Sequence, residues 1–380
     1  MVRTKTVTRP LDENLGKAVQ TLEAKGGAAP GDDPIALGGF KAVSSYNWIE
    51  DSPASILVPG SPPIWANPEL PMSPEKDKDA KASVVDANAA HAPDAPLAPL
   101  VAAIKTIEPN YDFKSINVVT DRINLRRLIN WASPEHAADL KDFRIDVDRI
   151  GDTVFMTRWE PTNEGSKAAI EQAFRKEALS DPTCYPEDKE VGSHHRIVEL
   201  SFLGKKMLVR FPVDACLAEA RQRSLSTSTQ GTLSPQNDNA DLPPMQDIAS
   251  GLTIHTAGGL VPQSSLVELS LMSKTAKFDR LSAMEQMFFS QTPSLYLSRH
   301  SKGSFGSYED VKLREMRVEE KKAQPALMKL GALLDDLTQA MKGLGDNAKA
   351  ALVCKSGKLE LFERSGGIQG LPEGLASAFA

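Results

Sequence analysis

One segment, residues 260–299, constrains the fold more than any other: LVPQSSLVELSLMSKTAKFDRLSAMEQMFFSQTPSLYLSR. Its apolar run at 266–271 is bounded by polar turn residues and carries a single carboxylate, Glu268. Such a run predicts a buried central strand. Phe278, Leu281, Met284, Phe288 and Phe289 follow at roughly helical spacing, on a helix that also carries Gln286. SLYLS at 294–298 predicts another strand, closed by Arg299. Strand with an inward acid, helix with a polar residue, strand again: an α/β core presents its chemistry at a sheet edge in this way. A buried carboxylate left alone is costly, so Glu268 needs a metal, a base or a hydrogen-bond network beside it.

The chain has 380 residues, enough for one large core or two modest ones. Its formal charge of −6 argues against a surface coated with Lys and Arg for nonspecific duplex binding. Cys184, Cys216 and Cys354 are odd in number and far apart, which fits a reducing compartment rather than a disulfide framework. The opening MVRTKTVTRPLDENLG lacks the apolar core of a signal peptide. No run reaches the length of a membrane span. A nuclear or cytoplasmic location, with no membrane partner, is the expectation.

Residues 1–96 read as a mostly disordered lead. Within them, 40–65 is Pro-rich yet holds Tyr46, Trp48, Ile56, Val58, Ile64 and Trp65, which predicts an extended arm laid across the folded domain. A Pro/Ala/Asp/Lys mixture then reads as a linker. The globular part is expected from 97 to 380. It opens with a short helix at 99–107 and a strand at 115–119. A helix through Arg122 and Trp131 follows, capped by Thr120 or Asp121. Hairpins are predicted at 142–159, turning at Gly151-Asp152, and at 196–215, turning at Gly204-Lys205 and ending on Asp214. A helix at 166–179 lies between them. The Ser/Thr/Asn/Pro-rich stretch 218–250 reads as a disordered insertion, tolerable because loop-closure entropy grows only logarithmically. Beyond residue 300 come a charged, solvated helix at 312–322, an amphipathic helix through Leu327, Leu330, Leu334, Leu337 and Met341, and a hairpin turning at Ser356-Gly357. The fold class is α/β (α+β), a mixed central sheet flanked by helices.

Asp214 at one strand end and Glu268 inside a later strand form the chemical signal. Two acids on neighbouring strands can hold a hard divalent cation by oxygen, and such a metal polarises a phosphoryl group and activates water. Nucleases of the PD-(D/E)XK type use this layout, with a lysine two residues after the second acid on the same strand face. Here that position is Ser270, and Lys274 lies beyond the predicted strand. The plainer alternative is an exposed strand-end Asp and a paired Glu. His194-His195, next to Cys184, lack a fourth ligand at zinc spacing, and the two histidines read as solvated loop residues.

The order of elements resembles the DXO-type decapping nuclease family, which includes the Rai-type partner of the nuclear 5′→3′ exoribonuclease. TDRINLRRLINWASP (120–134) is similar to the family's strand-then-arginine helix and puts its arginine at Arg122. GDTVFMTRWE (151–160) matches a Gly-led run but has Thr157 or Arg158 near the acid position. RFPVDA (210–215) keeps Asp214 and has Pro212 in place of the first acid of a Glu-x-Asp motif. VELS (267–270) keeps Glu268 without the lysine, and MEQMFFSQTPSLYLSR (284–299) supplies Gln286 and Arg299. The YNWIEDSPASILVPGSPPIW arm is similar to one in a fungal group of proteins.

The resemblance implies a PD-(D/E)XK-like fold acting on or binding RNA 5′ ends. Asp214 and Glu268 would hold Mg2+ or Mn2+, Gln286 would orient water or phosphate, and Arg122 and Arg299 would bind substrate. An exoribonuclease-type protein is the implied partner. The changes at Pro212, Ser270 and Thr157 or Arg158 lower the ligand charge on which such a metal site depends. Two readings follow: a hydrolase of weakened activity, or an inactive RNA-binding or scaffold protein on the same fold. Arg126, Arg127, Arg144, Arg158 and Arg210 lie in the segments that would line the pocket. Taken singly, Arg126 and Arg127 read as solvated helix residues and Arg144 as a strand-surface charge.

Overall fold

The structure, a computed structural model, describes residues 8–26, 34–50, 54–75, 82–165, 168–218 and 243–380. In chain order the first half is β1 (Leu15–Leu22), β2 (Gly38–Ile49), β3 (Ser55–Gly60), β4 (Ile64–Trp65), α1 (Ala87–His91), α2 (Ala98–Ile107), β5 (Val118–Asp121), α3 (Arg122–Ala132), β6 (Phe143–Ile150), β7 (Thr153–Arg158), α4 (Ala169–Ala178) and β8 (Leu179–Ser180). The second half is β9 (Val191–Phe202), β10 (Lys205–Val213), β11 (Ala215–Leu217), β12 (Met245–Asp247), β13 (Leu252–Gly258), β14 (Leu266–Ser273), α5 (Arg280–Ser290), β15 (Ser294–Ser301), β16 (Ser304–Lys312), α6 (Arg317–Leu344), β17 (Lys349–Lys355), β18 (Lys358–Arg364) and α7 (Glu373–Ala376).

These strands form two mixed sheets. The larger runs β1-β18-β17-β6-β7-β5-β10-β9-β2-β3-β13-β12 and the smaller β16-β15-β14-β11-β4-β8. Only Asp214 separates β10 in the larger sheet from β11 in the smaller. One face of the large sheet packs on α3, α5 and α6 through residues such as Leu125, Val209, Met287, Leu330 and Leu334. Its other face packs on α2 through Val119, Ile197, Leu208 and Leu100. The far face of the small sheet is closed by Trp65, Phe174, Val267 and Tyr296.

The mixed α+β class holds, and the helix and hairpin expectations hold in outline. The charged and amphipathic helices prove to be one, α6, which runs through Pro325. The second hairpin turns at Leu203-Gly204, both at positive φ, one residue earlier than expected. Asp121 is the N-cap residue of α3 but makes no side-chain cap bond. Its carboxylate instead takes Arg210 in a two-toothed pair, at 2.7 and 3.0 Å.

The segments expected to be disordered need correction. Leu15–Leu22 is an edge strand paired with β18. The arm 40–65 does not lie across the domain; β2 and β3 are interior strands, bracketed by β9 and β13. Tyr46 and Trp48, two residues apart and so on one strand face, are both fully buried. Their polar tips require partners. Asn88 supplies them, accepting from Tyr46 Oη at 2.5 Å and Trp48 Nε1 at 3.0 Å. Asn88 lies on α1, inside the supposed linker, and Asp86 caps that helix by accepting from Asn88 N at 2.9 Å. Low hydrophobicity hid this order because a few side chains do the anchoring. Residues 1–7, 27–33, 76–81 and 219–242, which include most of the expected insertion, lie outside the described residues.

If β2 belongs to the cooperative core, Trp48→Ala lowers the unfolding free energy by about 3–5 kcal/mol in urea titration. A loss below about 1 kcal/mol would place the segment outside that core.

Candidate functional site

Period-two alternation along β14 sends Val267 and Leu269 into the cluster with Trp65 and Tyr296. Leu266 and Glu268 therefore face the other way, toward α3 and α5. Glu268 is 3% exposed. Its Oε1 accepts from Arg122 Nη1 and, at 3.2 Å, from Ser290 Oγ; its Oε2 accepts from Gln286 Nε2. Arg122 opens α3, directly where β5 ends, and its guanidinium lies over the Phe211 ring at 5.2 Å. The ion pair ties the β5–α3 junction to β14, and Gln286 and Ser290, one turn apart on α5, complete the shell. A buried pair holds only when its remaining polar atoms are satisfied. Here both carboxylate oxygens are.

Arg126, one turn beyond Arg122, donates to Gln286 Oε1 at 2.7 Å and Ser282 Oγ at 3.2 Å. Both acceptors are neutral. Burial and the neighbouring Arg122 push its guanidinium below the ordinary arginine range. Gln286 thus bridges, donating to Glu268 and accepting from Arg126. Behind it His136 Nε2 meets Glu285 Oε2 at 2.8 Å. Burial raises the Glu285 carboxyl above its usual range while His136 pulls the other way.

Asp214 is not in this shell. β11 and β14 pair Ala215 with Val267, so one further step brings Asp214 level with Glu268. Its oxygens, however, take Arg175 Nη1 at 2.8 Å and the Leu269 amide at 2.8 Å. Arg299 lies apart as well. Leu295 pairs with Glu268 and Arg299 with Met272, a separation of about 13 Å at strand rise. Arg299 Nη1 donates to Ala276 O at 2.7 Å. The structure therefore gathers Glu268, Gln286 and Arg122, sets Asp214 beside them with other partners, and leaves Arg299 distant.

The donor set does not fit Mg2+ or Mn2+. Even with waters completing the shell, such a cation needs carboxylate oxygens turned toward it, whereas each of the four oxygens of Asp214 and Glu268 accepts from a nitrogen or hydroxyl donor, with a guanidinium against each acid. Among the described residues no group of three or more His, Cys, Asp and Glu could hold a metal ion. Thr157 is fully buried with its hydroxyl unpartnered, and Arg158 Nε is bound to Glu160 at 2.6 Å.

Several readings of single residues change. Arg126 is a half-buried member of the cluster rather than a solvated helix residue. Its signal was the four-residue step from Arg122, and Ser290 stands at the same step from Gln286. Arg127 donates to Glu160 at 2.5 Å. Arg144, 2% exposed, pairs with Asp146 at 2.6 Å far from Glu268's shell. His194 and His195 are buried in β9, not in a loop, and burial drives both well below the usual imidazole range.

Comparison with known proteins places this geometry in context. The model of a family described as "Domain of unknown function (DUF8563)" matches residues 30–379. The chain belongs to that family. No curated protein matches its sequence. Its fold is that of the Rai1 and Dxo1 structures, as the order of elements had suggested. S. pombe Rai1 superposes with a TM-score of 0.57 at 11% identity, covering 89% of this chain and 97% of that one. Candida albicans Rai1, solved in complex with pU5-Mn2+, gives 0.56 at 12% identity over 96% and 99%. K. lactis Dxo1, solved in complex with manganese, gives 0.51 at 11% identity over 95% and 98%.

The ion pair makes a direct prediction for this family member. Arg122→Met strands a buried carboxylate and lowers stability by about 3–5 kcal/mol in chemical denaturation. Adding Glu268→Met recovers part of that loss, and a double mutant as unstable as the summed singles would show that the two side chains are not coupled.

Proposed function

We propose that this protein is a metal-independent, non-hydrolytic binder of phosphorylated RNA 5′ ends, built on the decapping-nuclease fold. The observation that carries the reading is the state of Glu268: a guanidinium stands where a metal-site acid would need an open coordination position. Phosphoryl hydrolysis needs developing charge neutralised and a nucleophile placed. With Pro212 and Ser270 in place of an acid and a lysine, this chain offers neither. It offers Arg126, a half-buried guanidinium whose hydrogen-bond partners are neutral and whose nearest cation repels it. A phosphate accepting two hydrogen bonds from that planar fork relieves both conditions. The Rai1 structures solved with pU5-Mn2+ or 3′-FADP support the choice of ligand class.

A hydrolytic reading draws on one feature, the partial exposure of Asp214, whose side chain is 30% accessible beside Glu268. Two assays separate the readings. In EDTA, fluorescence anisotropy should show 5′-monophosphate or 5′-triphosphate RNA binding roughly tenfold or more tighter than 5′-hydroxyl RNA. Arg126→Ala should erase that difference. Equal affinity for the 5′-hydroxyl strand would refute binding through phosphate. Manganese-dependent turnover of 5′-triphosphate or NAD-capped RNA, lost in Asp214→Ala, would refute the non-hydrolytic part.

A further inference from the structure

Among the described residues five arginines are buried, and four of them, Arg122, Arg144, Arg210 and Arg364, meet carboxylates. Arg196 does not. It is 1% exposed, and its one hydrogen bond runs from Nη2 to Val261 O at 2.7 Å, while Nε and Nη1 have no partner. Arg196 pairs with Phe211 across β9 and β10, so it faces the apolar cluster that holds Phe211, Val213, Cys216, Val261 and Leu266. Burial pushes its guanidinium down to about 10, which still leaves it cationic at neutral pH. Among the described residues Cys216 is the one ionisable group whose charge would favour that cation. Its Sγ donates to Pro62 O at 3.9 Å and therefore keeps its proton. His194, two residues back on the same strand face, brings no negative charge either: its Nδ1 meets Asn47 Oδ1 at 2.9 Å, and burial and Arg196 keep the ring neutral.

A lone cation in an apolar interior is far costlier than a paired one, and two unmade donors add to that cost. We propose that Arg196 is the core of a buried anion site, which takes a monovalent inorganic anion of chloride size against the unpartnered part of its guanidinium. One positive charge balances one monoanion. A phosphate dianion would need further cations and donors, which this apolar face does not provide. Occupancy would also fasten the segment that leads into β14. Arg196 already holds Val261 O, and Gln263, two residues on, donates to Ser290 O at 2.7 Å. Neutralising the guanidinium therefore steadies the approach to the Glu268 shell. The proposal stands apart from the RNA-binding reading and does not depend on it.

Urea unfolding of the full chain at fixed ionic strength tests this, with sodium chloride exchanged for sodium gluconate, whose anion is too large to be enclosed. The unfolding midpoint should climb with chloride concentration, as it does when an ion binds the folded state alone. Arg196→Met should not respond to the exchange. In gluconate its midpoint should lie at or above that of the wild type, because an apolar side chain replaces an uncompensated charge. Bromide diffused into crystals of the wild-type chain gives a second measurement that needs no variant. An anomalous scattering peak within hydrogen-bonding distance of the Arg196 guanidinium supports the site, and its absence overturns it. A wild-type midpoint equal in both salts also overturns the proposal and leaves buried water as the guanidinium's partner. So does a chloride effect that survives Arg196→Met. Thiolate absorbance in the ultraviolet at neutral pH, lost in Cys216→Ser, overturns it as well, since the counter-charge would then be internal.

Discussion

Arg122 and Glu268 meet where the two sheets and two helices converge, and the rest of the site is arranged around that contact. The arginine is fixed by being the first residue of α3 after β5. The acid is fixed by the alternation of β14. Neither could be buried alone, since an uncompensated charge in the interior is far costlier than a pair. Gln286 and Ser290 then follow from geometry, because α5 crosses the pair and must offer polar groups there. The arrangement leaves both oxygens of the acid engaged by donors of the protein itself.

The same principle recurs in the large sheet. Arg210, fully buried in β10, is held by Asp121, with Tyr46 Oη at 3.0 Å and Pro96 O at 2.7 Å completing its donors. Arg364 joins Asp148 at 2.6 Å and approaches Asp146, which also takes Arg144. Burial pushes the Asp148 carboxyl up to about 6 even with Arg364 opposing the shift. These pairs tie chain ends and strand ends together. Arg122, Arg127, Arg144, Arg158 and Arg210 are likewise committed to carboxylates. Arg126 and Arg299 differ, because their acceptors are neutral.

The feature this chain shares with the Rai1 and Dxo1 structures is the framework. At 11–12% identity to S. pombe and Candida albicans Rai1, what is common is the placement of apolar faces. That placement tolerates wide substitution provided volume and pattern survive. A metal site has no such tolerance, because removing one carboxylate changes both charge and coordination number. The two properties can therefore part company within a single fold.

The sequence by itself determined the local elements that obey a period: the strand around Glu268, the α5 helix, the amphipathic half of α6 and the closing hairpin. It also determined that Glu268 would need a partner, since a buried acid is legible from its apolar neighbours. The order of β2 and β3 was hidden, because it depends on Asn88, distant in sequence, reaching the tips of Tyr46 and Trp48. Tertiary structure alone decided which partner Glu268 received, that Asp214 turned to Arg175 and the β14 backbone, and that Arg299 fell outside the cluster. The physical reason is that hydrogen bonds and ion pairs reach only a few ångströms, so their partners are settled by which elements pack together. Hydrophobic periodicity depends on neighbours along the chain and can be read before any packing is known.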